Sequence, residues 1–276
     1  MKKISLFLFL AVYFFYSPSL KASSWQEEAI SVLAYLRANP VAVAQQLGIE
    51  EEKLKVLWRD HPEVLKGLPV IQPSPELDEL AQEVLTLFER GVLPEAALEE
   101  VVNLKGLSHS LLGVFCAVLS WENFSSLEDS LNIVLQEAFK KALLREDPSA
   151  CGFLFPGYQL IGLAGKTSRL TLQGEEYYGN YFCFVLAAPP HPEGVVLGRI
   201  KAPESFLGSV WLFDLEGEET FYAYSDVFPD GSFLIPWQRP GGYLIPIFVG
   251  EEVPEFEIDF YSPVPLTLFP VTIPAL

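Results

Sequence analysis

The chain has 276 residues, half of them apolar, which is material for one or two domains with a real core. Its 18 Lys and Arg stand against 36 Asp and Glu, a net of −18 that repels phosphate backbones and anionic lipid, so nucleic acid and passive binding to acidic membranes are excluded as partners. Three cysteines without a CxxC pair, Cys116, Cys151 and Cys183, are too few for a disulfide framework and suggest neither a redox pair nor a zinc knuckle; one bridge or three buried thiols both stay open.

In chain order, Lys2 and Lys3 precede an uncharged apolar run from Ile4 to Tyr16, then Pro18, Leu20 and Ala22. This is the order of a signal peptide over residues 1–22, cut near Ala22, and the run is shorter than the roughly 20 residues a membrane span needs. Its removal takes three lysines and leaves a mature chain near −21. No later stretch is long and apolar enough to span a membrane, so the expected location is secreted or periplasmic, with no transmembrane segment in the mature chain.

Trp25 to Leu47 reads as a helix, with Ser24 as N-cap and a break at Asn39-Pro40. A short helix over Glu50 to Trp58 leads into a loop through His61-Pro62, where the His is read as solvated. Leu77, Leu80, Ala81, Val84, Leu85 and Phe88 form one helical stripe, ended by Gly91; another helix runs from Pro94 to near Gly106. Gly113 to Leu119 is strand-like, and Ser126 to Arg145 is a further amphipathic helix. After Cys151 the character changes: Leu160 to Leu163 is short and apolar, and Glu175 to Ala188 is a long aromatic strand, its Tyr and Phe cluster read as sheet core. Pro189, Pro190, His191 and Pro192 form a stiff linker over 189–193, with His191 solvated. From Gly194 onward short apolar runs alternate with turns at Asp230-Gly231 and Gly241-Gly242, the signature of a small sandwich over 194–276.

Four stretches between residues 25 and 188 resemble the CAP superfamily of secreted cysteine-rich, antigen-5 and pathogenesis-related proteins, in its bacterial SCP-like form. Val32 to Pro40 is similar to the opening helix with its "R..NP" ending; Leu68-Pro69 through Leu77 and Ala81 to the entry of the second helix; Trp121-Glu122-Asn123-Phe124 to the Gly-Glu-Asn stretch; and Phe155-Pro156-Gly157-Tyr158 through Gly162 to the last strand entry. The resemblance implies an α-β-α sandwich over 23–188 with a cleft of two His and two acids. The sequence departs from that cleft. Glu95 stands at or near the first His, Ser149 lies where the second is expected, and Trp121 replaces the Gly before Glu122. Glu95, Glu122, Asn123 and Ser149 therefore mark a vestigial cleft with no metal. In a second register His109 and Glu122 form an alternative metal pair, but one His and one Glu supply too few ligands, and a solvated loop His is preferred.

Residues 194–276 resemble the transthyretin-like, carboxypeptidase-regulatory-like sandwich, through Val196 to Ile200, Asp230-Gly231-Ser232-Phe233 and Pro240-Gly241-Gly242-Tyr243. No GxSxG, HExxH or P-loop pattern is present, and paired acids such as Glu51-Glu52 and Glu99-Glu100 read as wet faces. The expected fold class is α+β: a CAP-like α-β-α sandwich followed by a small all-β sandwich. The expected function is non-enzymatic binding or structure at the cell envelope or outside the cell, with no catalytic residues, no cofactor, and a glycan, lipid or protein ligand. The competing expectation is a hydrolase using Glu122, with or without His109, in a remodelled cleft.

Overall fold

A computed structural model describes residues 24–105, 111–172, 175–189, 193–216 and 219–275. Residues 1–22, where a signal peptide is expected, His109, and Pro190 to Pro192 of the expected linker lie outside the described residues. The fold is mixed α+β.

Helix α1 (Trp25–Ala38) starts where the Ser24 hydroxyl accepts from the Glu27 amide at 3.3 Å. It stops at Asn39, and Pro40 opens α2 (Pro40–Gln46) from its first position, where a missing amide costs nothing. Two short helices follow, α3 (Glu51–Leu57) and α4 (Pro62–Leu65), then β1 (Gln72–Pro73) and the amphipathic α5 (Pro75–Glu89). After α6 (Pro94–Lys105) come β2 (Leu112–Trp121) and α7 (Leu127–Leu143), the latter opened by a capping box between Ser126 and Asp129. A short α8 (Pro148–Cys151) and a 3-10 turn lead into the hairpin of β3 (Leu160–Leu172) and β4 (Glu175–Ala187).

These strands form one sheet in the order β1-β3-β4-β2, antiparallel apart from the β1–β3 pair. The period of two along β4 sorts its side chains. Phe182, Phe184 and Leu186 enter the core built with α1 and α7, while Tyr181, Cys183, Val185 and Ala187 enter the core built with α5 and α6. Helices thus cover both faces. Strand β3 runs far beyond the apolar stretch expected at Leu160 to Leu163, because it pairs with β4 along its whole length, out to Leu172 opposite Glu175.

The β-rich part has two sheets. Strands β5 (Val195–Lys201), β8 (Ser232–Pro236) and β10 (Glu257–Tyr261) pair as β10-β5-β8. Strands β6 (Phe206–Glu216), β7 (Glu219–Asp226), β9 (Tyr243–Val249) and β11 (Thr267–Leu268) pair as β11-β9-β6-β7, with β12 (Val271–Ile273) on β9. Asp230-Gly231 turns as expected, and Gly231 is required there: φ is +85° and a Cβ would stand 2.5 Å from the Ile200 carbonyl oxygen.

The three-stranded sheet is apolar on both faces. Val196, Ile200, Phe233 and Ile235 pack into the sandwich core, whereas Leu197, with Phe228 from the turn before β8, joins the core of the helix-rich part. Phe228 sits against Trp58 and Phe155, at ring centroid distances of 5.9 and 5.0 Å. This corrects the reading of His61 as solvated. Its ring is 3% exposed, lies 3.9 Å from the Phe228 ring centroid, and its Nδ1 is 3.2 Å from Glu63 Oε1. The cover comes from a residue far away in the chain.

Candidate functional site

A cavity of about 630 Å³ opens where the two parts meet. One wall is α6, through Glu95, Leu98, Glu99 and Val102, together with the first residues of β2 and the α8 segment at Ser149 and Gly152. The other wall is Arg199 and Lys201 on β5, Asp230 in the turn, and Glu257, Asp259 and Phe260 on β10.

Each polar group is placed by local structure. Pro94 starts α6, so Glu95 falls in its first turn, and Glu99 follows one turn later on the same face. Asp147 caps α8 by accepting from the Ser149 and Ala150 amides, and the Ser149 hydroxyl donates to the same Asp147 oxygen at 2.7 Å. Strand alternation turns Arg199 and Lys201 to one side of β5 and Val196, Gly198 and Ile200 to the other.

Arg199 is the most constrained group. Its Nη2 donates to the Tyr158 hydroxyl at 2.6 Å and to Asp230 Oδ2 at 3.3 Å, while its Nε is buried with no hydrogen-bond partner. Burial disfavours the cation, but the acidic groups of Asp230 and Glu95 outweigh it and hold the guanidinium pKa above its ordinary value. Burial pushes the Tyr158 phenol up, so it stays neutral. Asp230 is locked as well, accepting from the Ser232 hydroxyl at 2.9 Å and the Ser232 amide at 3.1 Å. Lys201 reaches Glu257 at 3.2 Å on a wet surface. The lining has five carboxylates against two cations, so the cavity carries an excess of negative charge.

The structure brings Glu95 and Ser149 to this cavity but not Glu122 and Asn123. Those two are exposed beyond the far end of β2, about 30 Å along the strand from the Leu112 end that lines the cavity. The loop that carries them is pinned by a buried Asn180, whose Nδ2 donates to the Ser125 and Ser126 carbonyls at 3.0 and 2.8 Å and to Ser130 Oγ at 2.6 Å. The His109–Glu122 pair cannot be placed, since His109 is outside the described residues. Among the described residues, no group of three or more His, Cys, Asp or Glu is arranged to hold a metal ion. No helix among them is long and apolar enough to cross a membrane.

Sequence reasoning missed Arg199, Asp230 and Asp259. One signal was present: a cation between Gly198 and Ile200 inside an apolar strand has to find an anion, but nothing local singles out Asp230, 31 residues on. No family model matches the chain, and no curated protein matches it.

Proposed function

We propose that the chain is an exported, non-enzymatic binding protein, a CAP-like domain joined to a transthyretin-like sandwich, which holds a glycan fragment in the cavity between the two. The observation that carries this reading is the composition of the cavity. It sets the locked Arg199–Asp230 pair and free carboxylate edges beside Leu98, Val102 and Phe260. Sugar rings have an apolar face and a polar rim, and this lining offers both. A lipid tail would meet too many charges.

The sheet order β1-β3-β4-β2 with helices on both faces supports the CAP-like resemblance. The Asp230-Gly231 turn supports the sandwich resemblance. Export is supported by the charged start and apolar run at Lys2 to Tyr16. The distance between Glu122 and the cavity supports a binding role over a hydrolytic one.

The test is saturation-transfer NMR with soluble oligosaccharides of neutral and amino sugars. Binding is expected, and Glu95→Ala and Asp259→Ala, one on each wall, should each weaken it by roughly tenfold. An absence of saturation transfer, or affinity untouched by both variants, would overturn the proposal in favour of a structural role.

A further inference from the structure

Two of the three cysteines meet in the fold. Cys116 on β2 and Cys183 on β4 are direct partners in the antiparallel register, and the neighbouring Cys116 adds to burial in pushing the Cys183 thiol up. Directly opposed antiparallel residues have Cα atoms about 4.5 or 5.5 Å apart, and both spacings fall within the ~4.4–6.8 Å that a disulfide needs. Both side chains lie on the α5 and α6 face of the sheet, among Val114, Ala164 and Val185. Cys151 is in the other core, across the sheet, where its thiol donates to the Ala142 carbonyl at 3.6 Å. The odd cysteine is thereby identified by topology.

We propose that Cys116 and Cys183 form a cross-strand disulfide, closing β2 onto β4, when the chain meets a low-molecular-weight disulfide such as oxidised glutathione. Cys116 is the entry point. It is half-buried and sits on an edge strand, β2, whereas Cys183 is fully buried on the central β4. The Cys116 thiolate attacks one sulfur of the oxidant, forming a mixed disulfide and releasing one glutathione thiolate. The Cys183 thiolate then attacks Cys116 Sγ and expels the second. The protein loses two protons and two electrons, and the oxidant is reduced to two thiols. Burial and the neighbouring Cys116 push the Cys183 thiol up, so the second step is slow near neutral pH and faster in alkali.

In the cell this bridge rests on the export reading, because only an oxidising compartment would keep it. The experiment separates the two claims. The purified full chain is incubated with millimolar oxidised glutathione at pH 8, alkylated under denaturing conditions without reductant, and mapped by mass spectrometry. The expected product is two hydrogens lighter, links the Cys116 and Cys183 peptides, and carries one alkylated cysteine, Cys151. Its melting temperature should rise by roughly 5 °C over the reduced chain. Cys151→Ser should leave the bridge intact, and Cys116→Ser should abolish it while circular dichroism shows the fold retained. Three alkylated cysteines, a persistent mixed disulfide on Cys116, or a bridge to Cys151 would each overturn the proposal. Chain recovered from its host with thiols trapped at lysis provides the second arm. A reduced pair there, beside a bridge formed in the purified chain, counts against export and leaves the disulfide geometry standing.

Discussion

Arg37 in α1 donates to the carbonyl of Phe153 at 2.6 Å, and the same guanidinium reaches the carbonyls of Tyr158 at 3.0 Å and Pro69 at 3.2 Å. The side chain is 0% exposed, and these three acceptors are main-chain oxygens. Burial lowers its pKa to about 10, which still leaves it charged at neutral pH. One residue thus ties the first helix to the loop before α5 and to the turn before β3.

Arg37→Met should therefore destabilise the chain by about 3–5 kcal/mol, since three buried carbonyls lose their donors. Arg37→Lys should recover little, because one ammonium cannot reproduce the planar fork. Urea unfolding followed by circular dichroism measures both.

Gly162 is the point of closest approach between β3 and α5. A Cβ there would stand 2.0 Å from the Leu77 carbonyl carbon, a main-chain atom that cannot swing away. Gly162→Ala should cost ~3 kcal/mol or more, or prevent folding. Gly241→Ala, whose nearest neighbour would be 3.6 Å away, is the control and should be close to neutral. Thermal melts of the two variants check this.

Tyr158→Phe tests the polar link between the two parts. The hydroxyl accepts from Arg199 Nη2 and lies 3.2 Å from Ser232 Oγ, so its loss removes a partner from a buried cation. A loss of about 2 kcal/mol is expected, with the transition remaining single in calorimetry.

Asp226 and Glu63 should respond to acid in opposite directions. The Asp226 pKa is raised, first by burial and then by Asp60 and Glu63, against the pull of His61. Its protonated form is favoured in the fold, so this stability is present below the ordinary carboxylate pKa and is lost as pH rises through the folded value. Asp226→Asn should melt higher than the parent at pH 7, with the gap closing on acidification. Burial works to raise the Glu63 pKa, but its hydrogen bond to His61 prevails and lowers it. That contribution is present above the ordinary carboxylate pKa and is lost as pH falls. Glu63→Gln should melt lower at pH 7, and again the gap should close in acid. Melting temperatures between pH 3 and 7 decide both signs.

A zinc titration by calorimetry addresses the competing enzyme expectation. Glu122 is exposed and separated from Glu95 and Ser149. Micromolar binding that Glu122→Gln abolishes is not expected; finding it would move a metal-dependent reaction ahead of the binding role.

What the sequence made legible was whatever depends on neighbours in the chain. Ser24 and Ser126 announced their helices because a cap acts within one turn, and Asn39-Pro40 announced the break for the same reason. The aromatic run of β4 reads as sheet core, and Phe182 and Phe184 are buried there, while the sorting of Phe182 from Cys183 onto opposite faces came only with the structure. Contacts made across long separations were illegible. His61 looked like a wet loop residue until Phe228 covered it. Arg37 was noticed as part of a motif, with nothing local to show its three acceptors. Of the candidate cleft, Glu95 and Ser149 were found and do share a cavity, while Glu122 and Asn123 were carried to the other end by the straightness of β2.

Leu197 and Phe228 belong to the same core as Trp58 and Phe155, and this bears on how the cavity can operate. Two bodies joined by a strap can close on a guest like a clamshell; two bodies that share their interior cannot, because opening the jaw would tear that interior apart. The slot between α6 and β10 consequently has a fixed gauge. If the proposed binding role holds, such a slot would select by prebuilt dimensions, would spend little ordering entropy when a guest arrives, and would need no hinge to admit or release it.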